Sequence, residues 1–365
     1  MQALRRAADA VRERDPFRFV ASSLEFAAHW VGDMLRLISD EHAYNTDLPL
    51  LTRIGLWRRG FLSHGYEFYS LDENDPADFM SHYQHRRVAS RVNRHASDLL
   101  DHKIIFQRYM GGEHEDVLPD LRGYVHDGVV HQPDGEKRSF RDWVTSQSTG
   151  FVVKRSLGGQ GSYVYVVNVT DDELEINRGV KNADELADEV ESDDWIITDL
   201  IEQADYAAEI FPDSVNTLRL TTLLDSKTGD PFIASAVHRF GTNASAPLDN
   251  WSSGGACARV DAETGVLTKG AVFPEKGTMH VVDKHPDTGA QMTDVEIPRW
   301  EMIRDRILEL ADQMRITPYV AWDVVPTDDG IQILEVNDRP DPNLIQIHQG
   351  LFEDPRVERS LYDHL

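Results

Sequence analysis

Asp323, Glu335 and Asn337 are the residues of this 365-residue chain whose types and spacing most directly offer chemistry. Two short apolar runs, Val320–Val325 and Ile331–Val336, flank Pro-Thr-Asp-Asp-Gly. β-Branched residues on both sides of an Asp/Gly turn predict a hairpin. Neighbouring antiparallel strands lie about 4.7–4.9 Å apart, so Asp323 in the first strand can meet Glu335 in the second on one face. Asn337, two residues on, points the same way. Two carboxylates and an amide oxygen make an all-oxygen set of the kind Mg²⁺ takes, with phosphates and water completing its shell. The competing account is two ordinary polar residues on a half-exposed sheet. Against it, Trp322, Val324, Leu334 and Val336 surround the acids, and a carboxylate among apolar groups is costly unless it is paired or bound to metal.

A second constellation lies upstream. Lys154 ends the apolar run Phe151–Val153, and Gly158, Gly159 and Gly161 follow in a loop that leads into another apolar run. Glycines let backbone approach phosphates closely, and a lysine beside the loop can hold their charge. No long helix follows, so this is neither a Walker loop nor a dinucleotide fingerprint. A hairpin with three glycines is otherwise ordinary; beside an Asp/Glu/Asn metal hairpin it gains weight. Lys103 is the first lysine of a chain that otherwise uses arginine, which marks a position where a compact point charge matters, with chance as the competing account. Asn216 and Arg219 precede and open one apolar strand, and His238 and Arg239 end the next. Two arginines on adjacent strands near a metal suit a phosphate or carboxylate, which guanidinium grips with two bonds; without the metal hairpin, surface salt bridges would explain them equally well. Asp249-Asn250 then opens a turn closed by Gly254-Gly255.

The elements that position these groups follow from periodicity. Residues 1–42 are predicted helical, with Leu24, Ala27, Ala28, Val31, Met34 and Leu35 on one face. Residues 48–69 mix apolar, aromatic and basic groups and predict a packed helical pair, and 80–100 a polar helix whose His82, His85 and His95 are expected at the surface. Lys103 leads into an apolar helix, 117–135 is short-stranded and 171–194 is acidic and helical. Trp195–Gln203 is a buried strand running into polar residues, and residues 300–314 form an amphipathic helix before the metal hairpin. Gln346 and His348 follow closely enough to line the site, and Cys257 is expected to be a small core residue.

Composition narrows the rest. The chain is long enough for two or three domains, 41% hydrophobic, and carries a net charge of −26. Only eight of its 37 basic residues are lysine. An acid-rich, lysine-poor surface is one kept soluble in concentrated salt, where charge repulsion is screened, and this points to a halophilic, archaeal cytosol, with a merely acidic enzyme as the competing account. Phosphate backbones need a basic surface, so a nucleic-acid partner is not expected. A single cysteine forbids an internal disulfide and fits a reducing, cytoplasmic compartment. No apolar run reaches membrane-spanning length, and the N-terminus lacks a signal-peptide core.

In order, Lys103, Lys154 with its glycine loop, the strand ending Asp199-Leu-Ile-Glu202, Asn216-Thr-Leu-Arg219, His238-Arg239, Asp249-Asn250…Gly254-Gly255 and the Asp323…Glu335-Val-Asn337 hairpin resemble the ATP-grasp superfamily. More narrowly they resemble its sugar-transfer-associated group, related to alpha-L-glutamate ligases. The resemblance implies an α+β ATP-grasp fold, two α+β subdomains gripping ATP between antiparallel sheets, preceded by a helical N-terminal region. It places the helical region at residues 1–100, the ATP-grasp domain at 101–350, with a lid near 150–198 and a core near 199–350, and a tail at 351–365.

Carried over, the roles are these. Lys103, Lys154 and the glycines would contact ATP phosphates. Asp199 and Leu200 would present backbone to adenine and Glu202 would meet the ribose. Arg219, Arg239 and Asn250 would steady the γ-phosphate, and Asp323, Glu335 and Asn337 would bind Mg²⁺, two ions being usual and Mn²⁺ an alternative. Arg155, Trp322 and Asp341 depart from the group's pattern and bear on the acceptor side. The implied activity is ATP-dependent ligation of a small-molecule carboxylate to an amine through an acyl phosphate, with a sugar acid, amino acid or glycoconjugate precursor as substrate. A kinase acting on a small-molecule or sugar acceptor and a non-catalytic nucleotide-binding module are the alternatives.

Overall fold

Two seven-stranded antiparallel sheets carry the chain. The computed structural model describes Gly32, Ser39, Glu41 and residues 47–93, 96–158, 163–170, 173–177, 179–273 and 279–364. The expected helix over residues 1–42, apart from those three positions, and His95 lie outside the described residues. The first sheet contains β1 (Leu121–His126), β2 (Val129–His131), β3 (Lys137–Ser139), β4 (Phe151–Arg155), β5 (Val164–Thr170), β6 (Glu173–Ile176) and β7 (Asp194–Asp199), in the order β3-β2-β1-β7-β4-β5-β6. It therefore recruits three strands upstream of the lid expected at 150–198. Trp143, Phe151, Val153, Leu186 and Trp195 form its core, under the helices Phe140–Val144 and Ala183–Val190.

The second sheet contains β8 (Leu218–Leu224), β9 (Pro231–Phe240), β10 (Ala256–Val260), β11 (Leu267–Val272), β12 (His280–Val282), β13 (Tyr319–Pro326) and β14 (Ile331–Asn337), in the order β12-β11-β10-β9-β8-β13-β14. The helix Trp300–Gln313 covers one face with Trp300, Ile303, Ile307 and Leu310, spaced to fall on one side. β13 is buried along its whole length, yet its two faces differ. Val320, Trp322 and Val324 enter the core beneath that helix, which leaves Ala321 and Asp323 on the opposite face. Trp322 donates its Nε1–H to Thr222 at 2.9 Å and is core, not site.

The N-terminal helices dock on the C-terminal segment. The predicted pair appears as Leu50–Arg58 and His64–Phe68, and the polar helix as His82–Val92 followed by Ser97–Asp101. His82 and His85 are not at the surface. His82 is buried, with Nε2 3.0 Å from both His64 Nε2 and Asn343 Oδ1, and its Nδ1 accepts from the Leu62 N–H. Burial lowers His82 to about 3 and His85 to about 4, so both are neutral at ordinary pH. Gln346, expected near the site, is fully buried and bonds Met80 N at 2.7 Å and Met80 O at 3.1 Å. His348 packs against Cys257, its Nε2 3.7 Å from Sγ. Gln346 thus ties the C-terminal segment to the N-terminal region, and His348 rests on the sheet. Cys257 is fully buried in the core, as expected.

Candidate active site

A cleft of about 1180 Å³ opens between the sheets. One wall is β4 and β5, including Lys154; the other is formed by the ends of β8, β9 and β14 and by the turn Pro247–Ser252. The connector Asp199–Gln203 bridges the two.

The expected metal hairpin forms in the expected register, with Asp323 opposite Glu335. Between that pair and Val324↔Ile333 the register slips by one, leaving Leu334 without a partner. Such a bulge re-aims side chains, and Leu334 joins Glu335 and Asn337 in lining the cleft. Sequence reading assigned Leu334 only to the apolar surround; a bulge has no signature in the hairpin's residue types.

The charges here are buried and interlocked. Asp323 also pairs in register with Arg219. Arg219 Nε lies 2.5 Å from Asp323 Oδ1, and its Nη2 donates to Oδ2 at 3.0 Å. Arg239 Nη2 lies 3.2 Å from the same Oδ2. Burial pushes the Asp323 carboxyl up, against the pull of both arginines. Glu335 meets Lys103, whose Nζ lies 3.1 Å from Oε2. Burial would raise Glu335, but Lys103, Arg219 and Lys154 outweigh it and hold the carboxyl at about 2. Lys154 moves the other way: burial lowers it to about 8 despite Glu335 nearby.

Lys103 also donates to Gly158 O at 2.9 Å, tying the glycine loop of one sheet to the carboxylate hairpin of the other. Gly158 takes φ +120°, with open space where a Cβ would stand. Gly159 and Gly161 lie outside the described residues. On the connector, the N–H of Asp199 is already donated to Asp120 O at 2.9 Å and its carboxylate pairs with Arg122. The Asp199 N–H is thereby committed within the fold, and Asp199, Leu200 and Glu202 line the cleft together. Asn250 lines the cleft while its side chain bonds Ser252 and Ser253 within its own turn. Gly255 closes that turn because a Cβ there would stand 2.9 Å from Asn250 O.

Asn216 is structural. Its Nδ2 donates to Gln203, Ala207 and Phe211, and its Oδ1 accepts from Ser214 Oγ and the Gly241 N–H. Asn216→Ala would strand several of these buried groups, each worth about 1–3 kcal/mol. We expect a loss of about 3 kcal/mol or more in urea unfolding; a loss below about 1 kcal/mol would contradict this role. Sequence reading missed Asp249 and Thr217. The Thr217 N–H and hydroxyl both donate to Asp249 Oδ2, and Arg239 donates to the Thr217 hydroxyl. Both residues sit inside the motifs quoted above, so position marked them but residue type did not. Arg339, two residues past Asn337, also lines the cleft, paired with Asp101 and Asp338.

The profile of the sugar-transfer associated ATP-grasp family matches residues 83–359. This chain belongs to that family. The ATP-grasp fold accounts for the two antiparallel sheets and the cleft between them, and a helical region precedes the domain. Among solved structures, the chain is similar to an N5-carboxyaminoimidazole ribonucleotide synthetase in its ADP complex (14% identity, TM-score 0.35, 66% of this chain and 45% of that one). It is also similar to the D-alanine–D-alanine ligase of Bacillus anthracis (14%, 0.36, 73% and 66%) and D-alanyl-alanine synthetase A of Vibrio cholerae (14%, 0.41, 73% and 67%). The chain thus spans under half of the first and about two thirds of the others. None of the curated proteins compared matches it.

The donor set of this ATP-grasp chain fits Mg²⁺. Glu335 is ionised at every working pH, and Asn337 lines the cleft beside it with an amide oxygen of the kind a hard cation takes. The Asn337 Nδ2, buried without a hydrogen-bond partner among the described residues, is a donor and suits a phosphate oxygen rather than the ion. Asp323 differs from expectation: both its oxygens face arginines, so it would serve a metal only in competition with them.

Proposed function

We propose that the chain is an ATP-dependent, ADP-forming ligase that joins a carboxylate to an amine. The observation that carries this is Lys103, bridging the glycine loop and Glu335 across the cleft, in a chain of this family. The nucleoside would lie along Leu200 and Glu202, with its phosphates running to Lys154, Lys103 and Gly158. Arg219 and Arg239 face the transferring phosphoryl group, and Glu335, Asn337 and, in second place, Asp323 would hold Mg²⁺, which neutralises phosphate charge when bound. Phosphoryl transfer needs positioning and charge more than a protein nucleophile, and the cleft offers Lys154, Arg219 and Arg239 with Lys103 beside Glu335, while the chain's one cysteine is buried outside its lining. A substrate carboxylate oxygen attacks the γ-phosphorus and ADP leaves. The amine then attacks the acyl carbon, losing a proton, and orthophosphate leaves. We take 101–350 as the catalytic unit, 1–100 as its helical leader and 351–365 as a tail.

The test is ADP and orthophosphate release from Mg²⁺–ATP over a panel of uronic and amino acids, each with and without amines. Molar KCl suits the acid-rich composition and a salt-rich cytoplasm. Release that requires both carboxylate and amine supports the ligase. ADP with a phosphorylated acceptor and no free phosphate overturns it in favour of a kinase, and nucleotide binding with no turnover on any acceptor would favour a binding module.

Lys154 sets a pH limb. Its ammonium is present below about 8 and lost above, so kcat/KM for ATP should fall as pH rises through that value. Lys154→Arg should remove the limb, since arginine stays charged; an unchanged profile would contradict phosphate contact by Lys154.

A further inference from the structure

Arg239 is held on three sides. Its Nε donates to Thr217 Oγ1 at 2.9 Å and its Nη2 to the same oxygen. Nη2 also lies 3.3 Å from Asp249 Oδ1 and 3.2 Å from Asp323 Oδ2. Among the described residues Nη1 makes no hydrogen bond, although Arg239 lines the cleft. Thr217 is fully buried and Asp249 nearly so. A hydroxyl has one proton. Here Asp249 Oδ2 takes it, while also accepting the Thr217 N–H at 2.8 Å. The lone pairs of Oγ1 are therefore turned to Arg239, which can only donate.

We propose that Asp249 and Thr217 are positioning residues that clamp Arg239 so that its free Nη1 edge recognises the terminal phosphate of a nucleoside triphosphate. This rests on the nucleotide reading above and adds to it a means of telling triphosphate from diphosphate. Asp249→Asn reverses the orientation. The new amide can donate to Oγ1, the hydroxyl proton swings toward Arg239, and a donor then faces donors. Thr217→Val removes the shared oxygen altogether.

The experiment is isothermal titration of Mg²⁺–AMP-PNP and Mg²⁺–ADP into wild type, D249N, T217V and T217S. A charge-assisted hydrogen bond corresponds to roughly 10–100-fold in affinity. D249N and T217V should weaken AMP-PNP binding by that factor while ADP affinity changes less than about threefold. T217S, which keeps the hydroxyl, should restore the wild-type ratio. The ADP arm reports whether each variant is folded. Equal losses for both nucleotides, or no loss for either, overturn the clamp while the nucleotide reading survives. Wild type that binds neither nucleotide overturns that reading, and the clamp with it.

Discussion

Replacing Arg219 by alanine is expected to lower stability by about 3–5 kcal/mol, the cost of leaving a buried charge without its partner. Asp323 is only 2% exposed and faces Arg219 through both oxygens. Arg239 touches only one of them, Oδ2. The double variant Arg219→Ala/Asp323→Ala removes the stranded carboxylate and should recover most of the loss, because removing both partners is far cheaper than removing one. The single variant should also respond to pH with a definite sign. Burial pushes Asp323 up, and with Arg219 gone its folded value would lie further above the unfolded one. The deficit is then largest at high pH and shrinks as pH falls and the carboxyl protonates. Urea midpoints for the two variants at two pH values test this. Equal destabilisation in single and double variants would show that the pair is not the stabilising unit.

Glu335→Gln is expected to lower turnover by about 10²–10³-fold, the cost typical of deleting one group that stabilises transition-state charge, while ADP binding changes little. The substitution keeps size and hydrogen bonding but removes the charge that Lys103 meets at 3.1 Å. Lys103 retains Gly158 O, so the bridge to the glycine loop persists and the fold should tolerate the change. Since Glu335 is held at about 2, it contributes no acidic limb to the wild-type rate above about pH 3. Steady-state kcat against the titrated Kd for ADP separates the two effects. Comparable losses in both would point to general damage rather than a role in phosphoryl transfer.

What was legible in the sequence was local. The hairpin around Asp323 and Glu335, the strand ending at Lys154, the helix from Trp300 and the turn at Gly254–Gly255 announce themselves through residue spacing, and the structure forms each of them. What was not legible was partnership across the chain. Arg219 and Asp323 are 104 residues apart and Thr217 and Asp249 are 32 apart, and only the strand order brings them together. An arginine opening a strand looks the same whether it meets phosphate, a buried aspartate or solvent. Polarity misled at His82, which sits in a hydrophilic stretch, and nearness to the metal hairpin misled at Gln346. Both are buried because their partners, Asn343 and Met80, come from the far end of the chain. Asp199 is likewise tied to Asp120 and Arg122, a partnership that its own strand does not signal.

The central claim is that Mg²⁺–ATP lies in the cleft between the two sheets. Amide hydrogen exchange followed by mass spectrometry, with and without Mg²⁺–ATP, tests it most directly. Slower exchange is expected in segments 150–158, 199–203 and 331–337 together, from opposite walls of the cleft, with little change in the helix Trp300–Gln313 behind the sheet. Unchanged exchange in all three segments, or protection confined to one sheet, would contradict the account.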